Sequence, residues 1–259
     1  MIALQRKLLS WYRRDGRADL PWRVQRDPYY TVVSEYMLQQ TQVDRVVPLF
    51  VAFIKAFPTI AALAGASTAD VLRMWKGLGY NSRAVRLQAF ARVVVRDFEG
   101  AIPHQAAVLR GLPGIGPYTA AAIRAFAFDL DDAPIDTNIR RIVHRWFFGL
   151  EYPASISNAA LALRARELVP SGLAHDWNSA LMDLGATLCS ARAPKCSRCP
   201  VAGSCVAAPI DPVRLENLRR LHRRTPSPGE RTKFELSARF ARGRIVRYGY
   251  GSRPHPRRS

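Results

Sequence analysis

Several things are scarce in this chain of 259 residues. No apolar run approaches the ~20 residues that a bilayer-spanning helix needs, so a membrane-embedded protein is not expected. Acidic residues are few: 20 Asp and Glu face 39 Lys and Arg. A partner recognised through its positive charge is therefore not expected. Cysteine occurs only four times, always between Cys189 and Cys205, which argues against a disulfide framework holding the fold together. Period-two alternation bounded by turn signals is missing throughout, so strands are not expected and the class is all-α.

What is present points to a polyanion. The formal net charge is +19 with a pI of about 10.8, a balance that suits nucleic acid or an anionic membrane surface. Without a spanning segment, DNA or RNA is the favoured partner. Gln5, Arg6 and Lys7 break the apolar residues of the N-terminus, so no signal-peptide core forms and a soluble, cytoplasmic (in a prokaryote, nucleoid-associated) chain is expected. The apolar fraction of 48% suits one large or two modest domains. From Asp211 onward, fourteen Lys and Arg accompany four Asp and Glu. This is either a solvated basic tail or an electrostatic arm for DNA, with an ordered-looking patch at Phe234 to Tyr248.

The chain reads as a succession of helices: about 2–14, Asp27-Pro28 to about Gln40, a helix capped by Thr41, two short ones capped by Thr59 and Ser67, Ser82 to Phe98, about His104 to Arg110, Thr119 to Phe128, Asn138 to Phe148, Ser157 to Leu168 and Asp176 to Leu188. The rest of the chain is arranged around Leu112 to Arg141. There Gly114-Ile115-Gly116 makes a turn between two helices, and Asp136 precedes a new helical run. Bare amides of such a turn can hold a phosphate, with a carboxylate nearby to act on what it carries. Asp136 is equally suited to capping the helix behind it. Glu35 is the only acid in its apolar segment, and a surface position is as good a reading for it as a buried one. Tyr80 fits a buried anchor or an exposed wedge.

The cysteines follow Cys189-x6-Cys196-x2-Cys199-x5-Cys205. One CxxC with two further thiols suits zinc and an iron–sulfur cluster about equally by ligand type. Arg192, Lys195 and Arg198 interleave these positions and suit phosphate contact.

Five stretches in order, SEYMLQQTQV (34–43), GLGYNSR (77–83), LPGIGPYTAAAI (112–123), PIDTNIRRI (134–142) and WNSALMDLGATLC (177–189), together with the cysteine spacing, resemble the MutY-type adenine DNA glycosylases, which are helix-hairpin-helix enzymes with a 4Fe-4S cluster. The resemblance covers about residues 5–208. It implies two helical lobes: a barrel at 21–128 with the hairpin, and a cluster lobe made of 1–20 plus 129–208. Residues 209–259 are left as a basic, partly disordered tail. It implies Cys189, Cys196, Cys199 and Cys205 as cluster ligands. Glu35 becomes the acid that protonates the leaving adenine, and Asp136 the carboxylate that stabilises the sugar cation. Tyr118 and Asn138 support them, Arg23 lies near the base pocket, Gln40 and Tyr80 enter the duplex, and Gly114 and Gly116 hold a phosphate. The partner implied is double-stranded DNA carrying a mispair, met by a monomer.

The chemistry of those residue types agrees. Hydrolysing an N-glycosidic bond needs a proton for the leaving base and an anion beside an oxocarbenium-like sugar, and two carboxyls in different environments divide that work. Tyr118 stands where strand-cleaving relatives carry a Schiff-base lysine, which predicts a monofunctional enzyme that leaves an abasic site. Barely fifty residues follow the cysteines, too few for the 8-oxoguanine-recognition domain of full-length family members. FARGRIVR (240–247) is similar to a fragment of shorter ones. Ser179 stands where some members have a longer polar side chain. Two rival readings are excision of thymine or uracil opposite guanine, and a non-catalytic iron–sulfur DNA-binding protein. The first would not need an acid for a purine N7, and the second would need neither carboxylate.

Overall fold

The computed structural model describes residues 2–152 and 156–222, and these are helical with no strand. The expected all-α class holds. In order the helices are Ala3–Asp15 (α1), Pro21–Val24 (α2), Pro28–Leu38 (α3), Val43–Ala56 (α4), Ile60–Gly65 (α5), Thr68–Met74 (α6), Ser82–Phe98 (α7), Ala106–Arg110 (α8), Pro117–Phe128 (α9), Thr137–Phe147 (α10), Asn158–Glu167 (α11), Ala174–Thr187 (α12) and Pro212–Leu221 (α13), with 3-10 turns at Cys196–Arg198 and Ala202–Ser204. The chain divides into two compact units, Met1–Leu218 and Arg219–Ser259. The patch expected at 234–248 and the FARGRIVR fragment lie outside the described residues.

Local chemistry sets most helix starts. Asp27 accepts from the Tyr29 and Tyr30 amides, with Pro28 at the first position of α3. Thr59, Ser67 and Ser157 accept from Ala62, Asp70 and Ala160, each satisfying one otherwise orphaned amide. Thr41 does not behave as expected. Gln42 precedes α4 without a side-chain cap, and the Thr41 hydroxyl donates to the Gln39 carbonyl and accepts from Arg83. α3 also stops earlier, at Leu38, because Gln39 leaves the helical region with ψ of 110°, and Gln40 after it takes a left-handed backbone with φ of 57°.

Two hydrophobic cores form within the first unit. One gathers Trp22, Val32, Phe50, Phe53, Trp75 and Phe90 from the helices between α2 and α9. The other gathers Leu8, Leu9, Val143, Trp146, Trp177 and Leu181 from α1, α10 and α12. Burying each such side chain fully stabilises by roughly 1.5–3 kcal/mol. The alanine-rich α9 contributes to both, Ile123 to the first and Ala125 to the second. Its small side chains let α3 and α12 approach it on either side. The residues of interest meet around this helix.

Candidate active site

α3 is apolar on almost every side: Tyr29, Val32, Val33, Tyr36 and Met37 are all buried. A helix sunk in this way has no solvent face to offer its one acid, and Glu35 is accordingly only 8% exposed. The surface reading of Glu35 is therefore overturned. Burial raises its carboxyl from 4.5 to about 7; the Tyr118 hydrogen bond and the Arg23 charge oppose the rise, and the Asp136 charge adds to it. Tyr118, on the first turn of α9, is itself pushed well above its ordinary value by burial and by the charges of Glu35 and Asp136. It stays a phenol, able to donate.

Asp136 caps α10. One oxygen accepts from the amides of Asn138 at 2.9 Å and Ile139 at 2.7 Å, and the other from the Asn138 side-chain amide at 2.8 Å. Burial raises its carboxyl while these donors and Arg141 oppose the rise. All three hydrogen bonds, and the helix N-terminus behind them, favour the anion. Asn138 is held in turn, since its Oδ1 accepts from Arg141 at 2.8 Å. The same guanidinium donates to the carbonyls of Gly185 and Cys189 at 2.9 Å and 2.8 Å.

Gly185 is required by this packing: a Cβ there would stand 2.6 Å from the Asn138 Cβ. Gly185→Ala is expected to displace Asn138, turn Asp136 and lower any turnover that depends on this carboxylate by on the order of a hundredfold, measured as a single-turnover rate. Unchanged turnover would mean that Asn138 does not orient Asp136.

On the opposite side, Arg23 reaches Asp183 at 2.8 Å, and Arg17 binds the same carboxylate through its backbone amide and side chain at 2.6–2.9 Å. Burial would raise the Asp183 carboxyl, but Arg23 and Arg17 outweigh it and hold it below its ordinary value. The Arg23 guanidinium lies 5.8 Å from the Tyr12 ring centroid. Ser179 is fully buried one turn before Asp183. The chain thus brings Glu35, Tyr118, Asp136, Asn138 and Arg23 to one place, close enough for the charge of Asp136 to raise the Glu35 carboxyl.

Gln40 and Tyr80 sit on neighbouring loops. Gln40 is exposed and Tyr80 is 42% exposed, which leaves Tyr80 available as a wedge. Gly114 has a φ of 77°, and a Cβ there would meet the Tyr36 hydroxyl at 2.6 Å. That hydroxyl donates to the Pro113 carbonyl, docking the hairpin on the helix that carries Glu35. Gly116 is extended and caps α9, with Pro117 following.

The four cysteines are free thiols. Cys189, Cys199 and Cys205 pack against the second core. Burial pushes Cys199 up to about 11, and the neighbouring charges of Cys189, Cys205 and Cys196 add to the rise. Arg145, fully buried and paired with Glu151, points Nη1 at the Cys189 sulfur at 3.5 Å, and the Cys205 thiol donates to its carbonyl at 3.3 Å. Among the described residues, no three His, Cys, Asp or Glu are gathered as the ligands of a single metal ion. No described helix is long and apolar enough to cross a membrane.

Residues 33–163 match the HhH-GPD superfamily of base excision DNA repair proteins. The adenine DNA glycosylase of Mycolicibacterium smegmatis is 44% identical over 76% of this chain and 67% of its own length. The chain belongs to the HhH-GPD superfamily. Among other adenine DNA glycosylases, those of Mycobacterium tuberculosis H37Rv and Homo sapiens are 42% and 40% identical, over 64% and 40% of their lengths. The MutY-type resemblance is therefore supported at the level of the family. The chain spans about 58–67% of the bacterial relatives it matches first. A solved thermostable thymine-DNA glycosylase superposes with a TM-score of 0.71 at 33% identity, covering 78% of this chain and 93% of that one. An endonuclease III–DNA complex, at 19% identity and a TM-score of 0.65, shares the fold.

The sequence marks Glu35, Asp136 and Asn138 but not the charged residues packed around them and the cysteines: Arg141 holds Asn138, Asp183 holds Arg23 and Arg145 contacts Cys189. Asp183, Arg141 and Arg145 are charged residues on largely buried helices, where a charge is ordinarily read as facing solvent. The signal for the two arginines is their i, i+4 spacing on α10, a charged row running directly beside the apolar row of Ile142 and Trp146.

Proposed function

We propose that this chain excises adenine mispaired with guanine or 8-oxoguanine from double-stranded DNA and leaves an abasic site. The observation that carries this is the pairing of a buried carboxyl shifted to about 7, Glu35, with a carboxylate held by three donors, Asp136. Protonated Glu35 gives its proton to N7 of the expelled base. The C1′–N9 bond breaks and its electron pair leaves with adenine. Asp136 faces the cationic sugar, water adds at C1′, and the water's second proton departs to solvent. Tyr118 orients Glu35, Asn138 orients Asp136, and Arg23 borders the base pocket. Gln40 and Tyr80 fill the space the base vacates. The hairpin amides at Gly114 and Gly116 hold backbone phosphate without reading sequence.

The likeness to a thymine-DNA glycosylase favours a second reading, with thymine or uracil as the leaving base. The two separate on duplexes containing A:8-oxoguanine, A:G, T:G or U:G, treated with alkali after incubation to break abasic strands. Alkali-dependent breaks at adenine are expected, and breaks confined to T:G and U:G would overturn the reading. Borohydride is expected to trap no protein on DNA, because a phenol at Tyr118 forms no Schiff base. A trapped adduct would make the enzyme bifunctional.

The cysteine loop fits a 4Fe-4S cluster by donor chemistry: it offers four thiols within seventeen residues, and three of them, Cys189, Cys199 and Cys205, pack against the second core. Cys189, Cys196, Cys199 and Cys205 would hold it. A cluster held there would tie the loop together, and Lys195 and Arg198 within it would be cations suited to phosphate.

A further inference from the structure

Arg83, on the first turn of α7, is only 6% exposed, and its contacts reach well beyond its own helix. Nη1 donates to the carbonyls of Tyr36, Met37 and Gln39 at 2.7, 3.0 and 2.6 Å. Nη2 donates to the Thr41 hydroxyl at 3.3 Å and to the carbonyls of Leu78 and Gly79 at 3.1 and 3.2 Å. All of these acceptors are neutral, so no carboxylate partner explains the placing of this charge. The Tyr36 and Met37 carbonyls belong to the last turn of α3, where backbone acceptors lack helical partners and carry the negative end of the helix dipole. α3 has no basic residue of its own in that turn, and Arg83 takes that part from a distance.

The acceptors fall into two groups. One is the segment 36–41, which presents Gln40; the other is the turn 78–79, which presents Tyr80. Both presented residues have a left-handed backbone, φ 57° at Gln40 and 48° at Tyr80, a conformation disfavoured for any residue with a side chain. The guanidinium also lies 5.5 Å from the Tyr80 ring centroid and 5.6 Å from that of Trp75. The guanidinium spreads these donors over two nitrogens and so reaches both loops, whereas a lysine ammonium brings its three donors to a single point.

We propose that Arg83 is a positioning residue that fastens the Gln40 loop to the Tyr80 loop, so that both enter the duplex as one unit. The inference rests on the reading above in which Gln40 and Tyr80 are the inserting side chains. Its consequence is that the two wedges act cooperatively, with one buried guanidinium setting their separation.

A mutant cycle on an A:8-oxoguanine duplex, read as single-turnover excision, tests this. Tyr80→Ala and Gln40→Ala come first, because excision unaffected by either would remove the premise and the proposal with it. Where they do slow excision, Arg83→Lys is expected to cost on the order of tenfold in the otherwise wild-type chain and less than about twofold in the Tyr80→Ala/Gln40→Ala background. An equal loss in both backgrounds would make Arg83 a general stabiliser and overturn the proposal. Should Arg83→Lys not fold, hydrogen exchange on the wild-type protein decides. The Thr41 amide, bonded to Leu38, and the Leu78 amide, bonded to Trp75, are expected to share one opening free energy. Clearly different protection at the two would show independent loops and contradict the fastening.

Discussion

Asp136→Asn is expected to slow excision by on the order of a thousandfold or more, while mispair binding and melting temperature change little. Asparagine caps a helix about as well as aspartate, so α10 keeps its start. The negative charge beside C1′ is lost, however, and an amide introduced there would confront the Asn138 side-chain amide that now donates to Asp136. Single-turnover rates, gel-shift affinities and thermal melts on the same preparation separate the possibilities. A parallel fall in all three would assign Asp136 to the fold alone.

Glu35→Gln is expected to reduce the rate by on the order of a hundred- to ten-thousandfold, the range associated with losing a general acid. The wild-type rate should depend on pH through the same group. The proton donor is the carboxylic acid, so excision falls as pH rises through about 7, approaching tenfold per pH unit on the alkaline side. A rate flat from pH 6 to 9 would exclude Glu35 as the donor.

Stability carries the same signature. Folded Glu35 keeps its proton to about 7, whereas the ordinary value is 4.5. The folded state therefore binds the extra proton between those limits. Its contribution to stability is complete below about 4.5 and is lost as pH rises through about 7. Glu35→Gln removes the buried charge, so melts at pH 8 should show the variant stabilised by up to about 3 kcal/mol over wild type, and melts near pH 4 no such gain. A carboxyl that weakens the fold above its raised pKa is the expected consequence of placing an acid in an apolar helix.

How much of this was legible in the sequence depended on distance along the chain. The caps at Asp27, Thr59 and Ser67 are readable because side chain and amide lie within three residues of each other. Thr41 misled because Arg83, far along the chain, claims its hydroxyl. Asp136 and Glu35 stand out in the sequence itself, and the resemblance supplies their roles and that of Tyr118, but composition and periodicity give no hint that α3, α9 and α10 bring them together. Asp183 went unseen because its partners, Arg17 and Arg23, lie some 160 residues upstream. Its setting among apolar residues of α12 gave no sign that a carboxylate would be buried and doubly paired. The short helix Pro21–Val24, which presents Arg23, was likewise too brief for a periodic signal.

The most direct test is to identify the base released. An A:8-oxoguanine duplex is incubated with an excess of protein, and the low-molecular-weight products are separated and identified by mass. Free adenine, in equal amount to alkali-labile strand and absent with Asp136→Asn, is the predicted result. Intact adenine in the duplex, with thymine or uracil released from T:G or U:G duplexes under the same conditions, would contradict it.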